Sequence, residues 1–397
     1  MPIELPNETF TNGDDIIPLS GVEVILNSGI ANTLDGNDII TGTWNNSNYY
    51  IIGDQYSVGA INAIYNTGTF NTADGNDKIV GILQNQYLSG FFVAAISNME
   101  GNINTGNGND IITGTHNENL YSDLGRYLPL DGYGIYSDGG SINTGNGNDI
   151  ITGIGGTGIS LQTNTFTGNG NDTIIGSGGI GITNGRQIDT GMGEDIITGN
   201  GFYDGIQNWS TINTSEGNDI ITGTGNDVGI WSGNLNTGNG NDIITGSSLA
   251  GRYGIYNLGT MDTGDGDDVI IAIGGDLCGI GNEGTINTGN GADSIIANEG
   301  FGSFEGFDPL LHENPLIFLG NGIDYLKGFG IGVFNGGNGS DTLELTPGSY
   351  VIGISGTMVN FTKGSTIMKT SGFETLIAGS TNYNFTSLTE GQTIIVA

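Results

Sequence analysis

The apolar residues of this chain follow no helical period. They recur in short alternating runs inside a unit that repeats down most of the sequence. Two residues after a recurring aspartate stand Ile40, Ile79, Ile112, Ile151, Ile174, Ile197, Ile221, Ile244, Ile270 and Ile295. One residue after it the choice loosens to Ile39, Lys78, Ile111, Thr173, Val269 or Ser294. Strand side chains alternate faces, so the constant position predicts a buried ladder and its neighbour an outward one. A second inward ladder is predicted at Ile103, Ile142, Ile188, Ile212, Leu235, Met261 and Ile286. Each fully buried member contributes roughly 1.5 to 3 kcal/mol.

The unit is clear in Gly254 to Ile271 and again in Gly279 to Ile296. Three short extended segments, of the types Gly-Ile-x-Asn, Ile-Asn-Thr and Asp-Ile-Ile-Thr, are separated by Gly, Asn and Asp turns. From Asp149 to Asp293 the aspartates stand 23 to 26 residues apart, which is one coil of a solenoid. The fold expected is all-β: a right-handed parallel β-helix or β-roll with coils of about 23 residues and a small β cap at the C-terminus. Asn27, Asn66, Asn184, Asn208, Asn257 and Asn282 recur at one corner and predict an amide ladder along the stack.

This reading divides the chain into a degenerate first coil at 1–20, a repeat array at 21–300, a glycine-rich segment at 301–343 and a capping tail at 344–397. The first three intervals between aspartates are longer, which places inserts at 44–58, 83–93 and 116–131. They carry Trp44, Tyr49, Tyr50, Phe91, Phe92, His116, Tyr121, Arg126 and Tyr127, and they are expected either to form a binding surface or to fold back over apolar surface.

Charge narrows the function. Forty-two Asp and Glu face seven Lys and Arg, for a net charge of −35, so nucleic acid and anionic membranes are unfavourable partners and cations are favourable ones. The lone Cys278 excludes an intramolecular disulfide and a cysteine-rich zinc site. No apolar run is long enough for a membrane-spanning helix, and Met1 to Phe10 lacks the pattern of a conventional signal peptide.

The phrase Thr-Gly-Asn-Gly-Asn-Asp-Ile-Ile at Thr105, Thr144 and Thr237, and the full match Gly336-Gly-Asn-Gly-Ser-Asp-Thr-Leu-Glu344, resemble the calcium-binding nonapeptide of the RTX (repeats-in-toxin) family. Residues 320–326 precede that match in weaker form. The resemblance implies calcium held by aspartate carboxylates and glycine-loop carbonyls of neighbouring turns. Carried over, the carboxylates are Asp38, Asp77, Asp110, Asp149, Asp172, Asp195, Asp219, Asp242, Asp268, Asp293, Asp324 and Asp341. The carbonyls are those near Gly106, Gly108, Gly145, Gly147, Gly238, Gly240, Gly337 and Gly339. Family rolls place two such loops in each coil, whereas residues 21–300 have one. The competing reading makes Gly-Asn-Gly-Asn-Asp a plain corner whose aspartate caps backbone amides. The tail also resembles the uncleaved C-terminal region by which RTX proteins leave bacteria through a type I exporter.

Outward Ile111, Thr113, Ile150, Thr152, Ile196, Thr198, Ile220, Thr222, Ile243 and Thr245 predict a flat stripe of the kind that meets a partner. Self-association, a cell-surface polysaccharide and ice are the partners considered. The expected function is a secreted, calcium-binding solenoid, extracellular or cell-surface, that is structural or adhesive and folds on calcium after export. The alternatives are a polysaccharide-active enzyme and an ice binder. Catalysis has little to work with: His116 and Arg126 share one insert, and His312 stands alone.

Overall fold

The computed structural model describes residues 3–5, 7–17, 24–45, 61–85, 92–118, 132–302 and 315–397. Most of each expected insert, with Tyr49, Tyr50, Phe91, Tyr121, Arg126 and Tyr127, lies outside the described residues, as does His312. The chain forms two compact units, Met1–Asn213 and Thr214–Ala397. Both are β-solenoids, and among the described residues the only helical element is the 3-10 turn Phe385–Ser387.

In the first unit each coil lays down three extended segments, which merge into single strands at Tyr133–Asn143, Thr157–Phe166, Thr173–Asn184 and Ile196–Asn213, and these segments pair in parallel with their counterparts in the next coil. On the third strand Ile40, Ile79, Ile112, Ile151, Ile174 and Ile197 stack in register, all fully buried. On the second strand Phe70, Ile103 and Ile142 stack, followed by Thr165, Ile188 and Ile212. A third ladder runs down the first strand through Ile25, Ile64, Ile96, Ile135, Ile159, Ile182 and Ile206. The β-branched side chains face one lumen from three walls, while the alternate positions of each strand point outward.

The second unit repeats the plan. Ile221, Ile244, Ile270, Ile295, Leu326, Leu343 and Leu376 form its third-strand ladder, and Leu235, Met261, Ile286, Ile317 and Phe334 its second. The stack then changes character. Gly348–Ser355 pairs antiparallel with both Met358–Lys363 and Thr393–Val396, and buried Tyr350, Ile352, Phe361, Met368 and Ile394 close the end of the lumen.

A seam of small residues, mostly glycine, closes the side of the coils. In the first unit Gly42, Gly81, Gly114, Gly153, Gly176 and Gly199 on the third strand abut the backbone of the first strand. A Cβ on Gly153 would lie 2.2 Å from the carbonyl oxygen of Gly158, a distance no side chain tolerates. Beyond the seam lies a smaller apolar lobe, which in the first unit packs Trp44, Ala63, Leu83, Val93 and Ala95. His116 continues the column of Trp44 and Leu83 and is itself buried, with its pKa lowered to about 4 by that burial.

Candidate metal site in the stacked corners

The corner between the second and third strands is built by Thr-Gly-Asn-Gly-Asn-Asp and close variants. The turn is too tight for backbone pairing to satisfy every amide, so side chains do the rest. The residue before the aspartate accepts from the coil after it: Asn37 Oδ1 takes the backbone N–H of Asn76 at 2.9 Å, and Asn109 Oδ1 that of Asn148 at 2.7 Å. The aspartate works in the other direction. Its Oδ1 accepts the backbone N–H of the preceding coil's aspartate. Asp38 thus donates to Asp77 at 2.7 Å, and Asp77 to Asp110, Asp110 to Asp149, Asp149 to Asp172 and Asp172 to Asp195 at 2.8 Å each. In the second unit the same bond links Asp219, Asp242, Asp268, Asp293, Asp324 and Asp341 in turn at 2.8 to 3.0 Å. Asp341 N–H ends the series on Glu374 Oε2 of the cap at 2.7 Å.

This is the amide-capping geometry, and it uses only one carboxylate oxygen. The other, Oδ2, is buried and accepts no hydrogen bond of normal geometry in Asp38, Asp77, Asp110, Asp149 and Asp172, nor in Asp242, Asp268, Asp293, Asp324 and Asp341, although a corner threonine hydroxyl, such as Thr72 at Asp77 and Thr144 at Asp149, still favours the ionised carboxyl. These side chains are no more than 1% exposed. Burial is the largest influence on their acidity, and it pushes Asp77, Asp149 and Asp293 up to about 7, and Asp268 and Asp341 up to about 6. At Asp77 the Thr72 hydroxyl and the Asp38 amide oppose the shift, while the charges of Asp110 and Asp38 reinforce it. Asp38, Asp110, Asp172, Asp242 and Asp324 are raised for the same first reason. No lysine or arginine neutralises either column in the described ion pairs, which join Arg252 to Asp227 and Lys327 to Glu344.

A buried carboxylate with an idle oxygen calls for a proton or a cation. The donors at hand are all hard oxygens, which suits calcium and not a soft metal. Among the described residues no group of three or more His, Cys, Asp and Glu converges. A shell of six to eight oxygens would therefore draw mostly on backbone carbonyls. Those of Gly106, Gly108, Gly145 and Gly147, and of Gly238 and Gly240, all point along the stack toward the glycine of the next coil. A Cβ on Gly147, for instance, would lie 1.7 Å from Gly108 O. Gly337 and Gly339 carry the last corner, beside Asp341. By donor type the corners suit a hard cation, and the idle Oδ2 atoms are the observation that raises it.

Of two further features, one had no sequence signal and the other was foreseen. Glu374, which ends the aspartate series, lies outside the repeat and carries no sequence signal. The outward third-strand face is present, with Ile150 at 38% and Ile196 at 37% exposure in the first unit and Ile220 and Ile243 alike in the second. The flanking threonines Thr152, Thr198, Thr222 and Thr245 are half-buried. No protein-family model matches the chain, and no curated protein matches it.

Proposed function

We propose that this chain is a calcium-binding β-solenoid of the RTX type with a structural or adhesive role outside the cell. The observation that carries the reading is the row of buried Oδ2 atoms without hydrogen bonds of normal geometry, from Asp38 to Asp172 in the first unit and from Asp242 to Asp341 in the second. Stacked coils about 4.8 Å apart bring like charges into a column, where adjacent ionised pairs repel by about 3.5 kcal/mol at an effective dielectric of 20. Calcium, if held by Oδ2 and glycine carbonyls of the corner, would remove that repulsion. Free calcium is scarce inside cells and abundant outside, so sites with dissociation constants of about 10⁻⁴ to 10⁻³ M fill only after export. A structural role is supported by what surrounds the column, ladders of isoleucine and amide, and by His116 lying buried in line with Trp44 and Leu83.

The test is far-UV circular dichroism with thermal melts, first in chelator and then across a calcium titration to millimolar. The reading expects a sheet signal that strengthens, a melting point that climbs with calcium, and several ions bound per chain. A melting point that does not move at neutral pH, with no ion bound, would leave the corners as amide caps and overturn it.

A further inference from the structure

An asparagine followed by glycine can modify itself. The glycine nitrogen attacks the side-chain Cγ, the Cγ–Nδ2 bond breaks, and the amide nitrogen leaves as ammonia with the proton from the glycine N–H. Water then opens the succinimide to aspartate or isoaspartate. The corners carry this pair repeatedly, and the stack engages its nucleophile: Gly108 N–H donates to Asn146 O at 2.7 Å, Gly147 to Asn169 O at 2.8 Å, and Gly240 to Asp265 O at 2.9 Å. Gly291 and Gly322 pair with the corner strands that follow them.

Asn338–Gly339 differs. It is the terminal strand of the three-stranded corner sheet whose other members are Asn290–Gly291 and Asn321–Gly322. Asn338 N–H reaches back to Gly320 O at 2.8 Å, so Gly339 N–H faces the side on which no fourth corner strand stands among the described residues. Both residues are exposed.

We infer that Asn338 is a self-modification site, a deamidation point that the ladder leaves open while it protects the stacked asparagines. The consequence is directional. Corner amides donate to the coil before them, and the ladders start on acceptor-only carboxylates: Asn107 on Asp74, Asn239 on Glu216 and Asn290 on Asp265. Asn338 is a donor, to Asn321 Oδ1 at 2.7 Å. A carboxylate there cannot donate, so conversion breaks this bond and adds a negative charge to the one corner that matches the nonapeptide at every position.

The experiment incubates the full folded chain at mildly alkaline pH. It follows each Asn–Gly pair by peptide mass spectrometry, with fragmentation that separates aspartate from isoaspartate. Because the stacked amides react only after local opening, Asn338 is expected to convert about tenfold or more faster than Asn146 and Asn321. In denaturant the rates converge. If Asn146 or Asn321 keeps pace with Asn338 in the folded protein, or if Asn338 reacts only in denaturant, the inference fails.

Discussion

Asp149 carries two roles on two oxygens, and substitution separates them. Its Oδ1 caps the Asp110 amide at 2.8 Å, while Oδ2 accepts no hydrogen bond of normal geometry. Asp149→Asn keeps an acceptor for the cap and removes the charge, whereas Asp149→Ala removes the cap as well and costs about 1 to 3 kcal/mol by leaving a buried amide unpaired. The acidity gives the pH dependence. Burial raises Asp77, Asp149 and Asp293 from 3.8 to about 7, so the folded chain binds protons that the unfolded chain has released. In chelator that stability is full below about pH 4 and is lost as pH rises through about 7. Melts in chelator are expected to fall steadily from pH 5 to pH 8, and Asp149→Asn to melt above the parent at pH 8. In calcium the order reverses, because the ion needs the carboxylate that the amide has lost. If Asp149→Asn gains as much from calcium as the parent, Asp149 does not bind it.

At the scale of the element, the third strand was the most legible part of the chain and the first strand the least. Position after position of isoleucine behind the aspartate announced the buried ladders Ile40 to Ile197 in the first unit and Ile221 to Ile295 in the second, and the second-strand ladders, with Ile103 and Ile286 among their members, were visible for the same reason. The first-strand ladder was hidden because Gly, Tyr and Asn surround its isoleucines and mask the alternation. The glycine seam was hidden too, since in a chain with 76 glycines the constant Gly of Ile-Ile-Thr-Gly looks like one more turn residue. Only the approach of the first strand gives it meaning. The amide ladder was foreseen, and its buried links Asn27 to Asn66 and Asn66 to Asn98 measure 2.7 Å each. The corner aspartates were foreseen as a column, but the division of labour between Oδ1 and Oδ2 depends on coil spacing, which no sequence states. The seam yields its own prediction. Ala272 and Ala297 occupy it in the second unit, so the strands there accept a methyl group. In the first unit Gly153→Ala is expected to lower the denaturation midpoint by an amount worth about 1 to 3 kcal/mol, and Gly153→Val by more, from forced separation of the walls. Equal stability of Gly153→Val and the parent in urea would mean that the seam is not close-packed.

At the scale of the whole molecule, a net charge of −35 offers two explanations for any stabilisation by calcium, and they separate by salt. If the ion merely screens a self-repelling acidic surface, sodium chloride does the same work, because the Debye length falls from about 10 Å at 0.1 M to about 3 Å at 1 M. If calcium closes the corners, monovalent salt does little, since the column carboxylates are out of contact with solvent and are poorly screened. The corner reading therefore expects sodium chloride at about 1 M, in chelator, to recover only a minor part of the rise in melting temperature that millimolar calcium gives. It also expects magnesium to fall short of calcium. Magnesium demands near-ideal octahedral geometry and sheds its water reluctantly, whereas carbonyls fixed by a stack of coils offer an irregular shell that calcium accepts. Sodium chloride matching calcium, or magnesium equalling it, would move the effect from the corners to the surface, and the charge would then be a solubility device on a solenoid held together by its isoleucine and amide ladders alone.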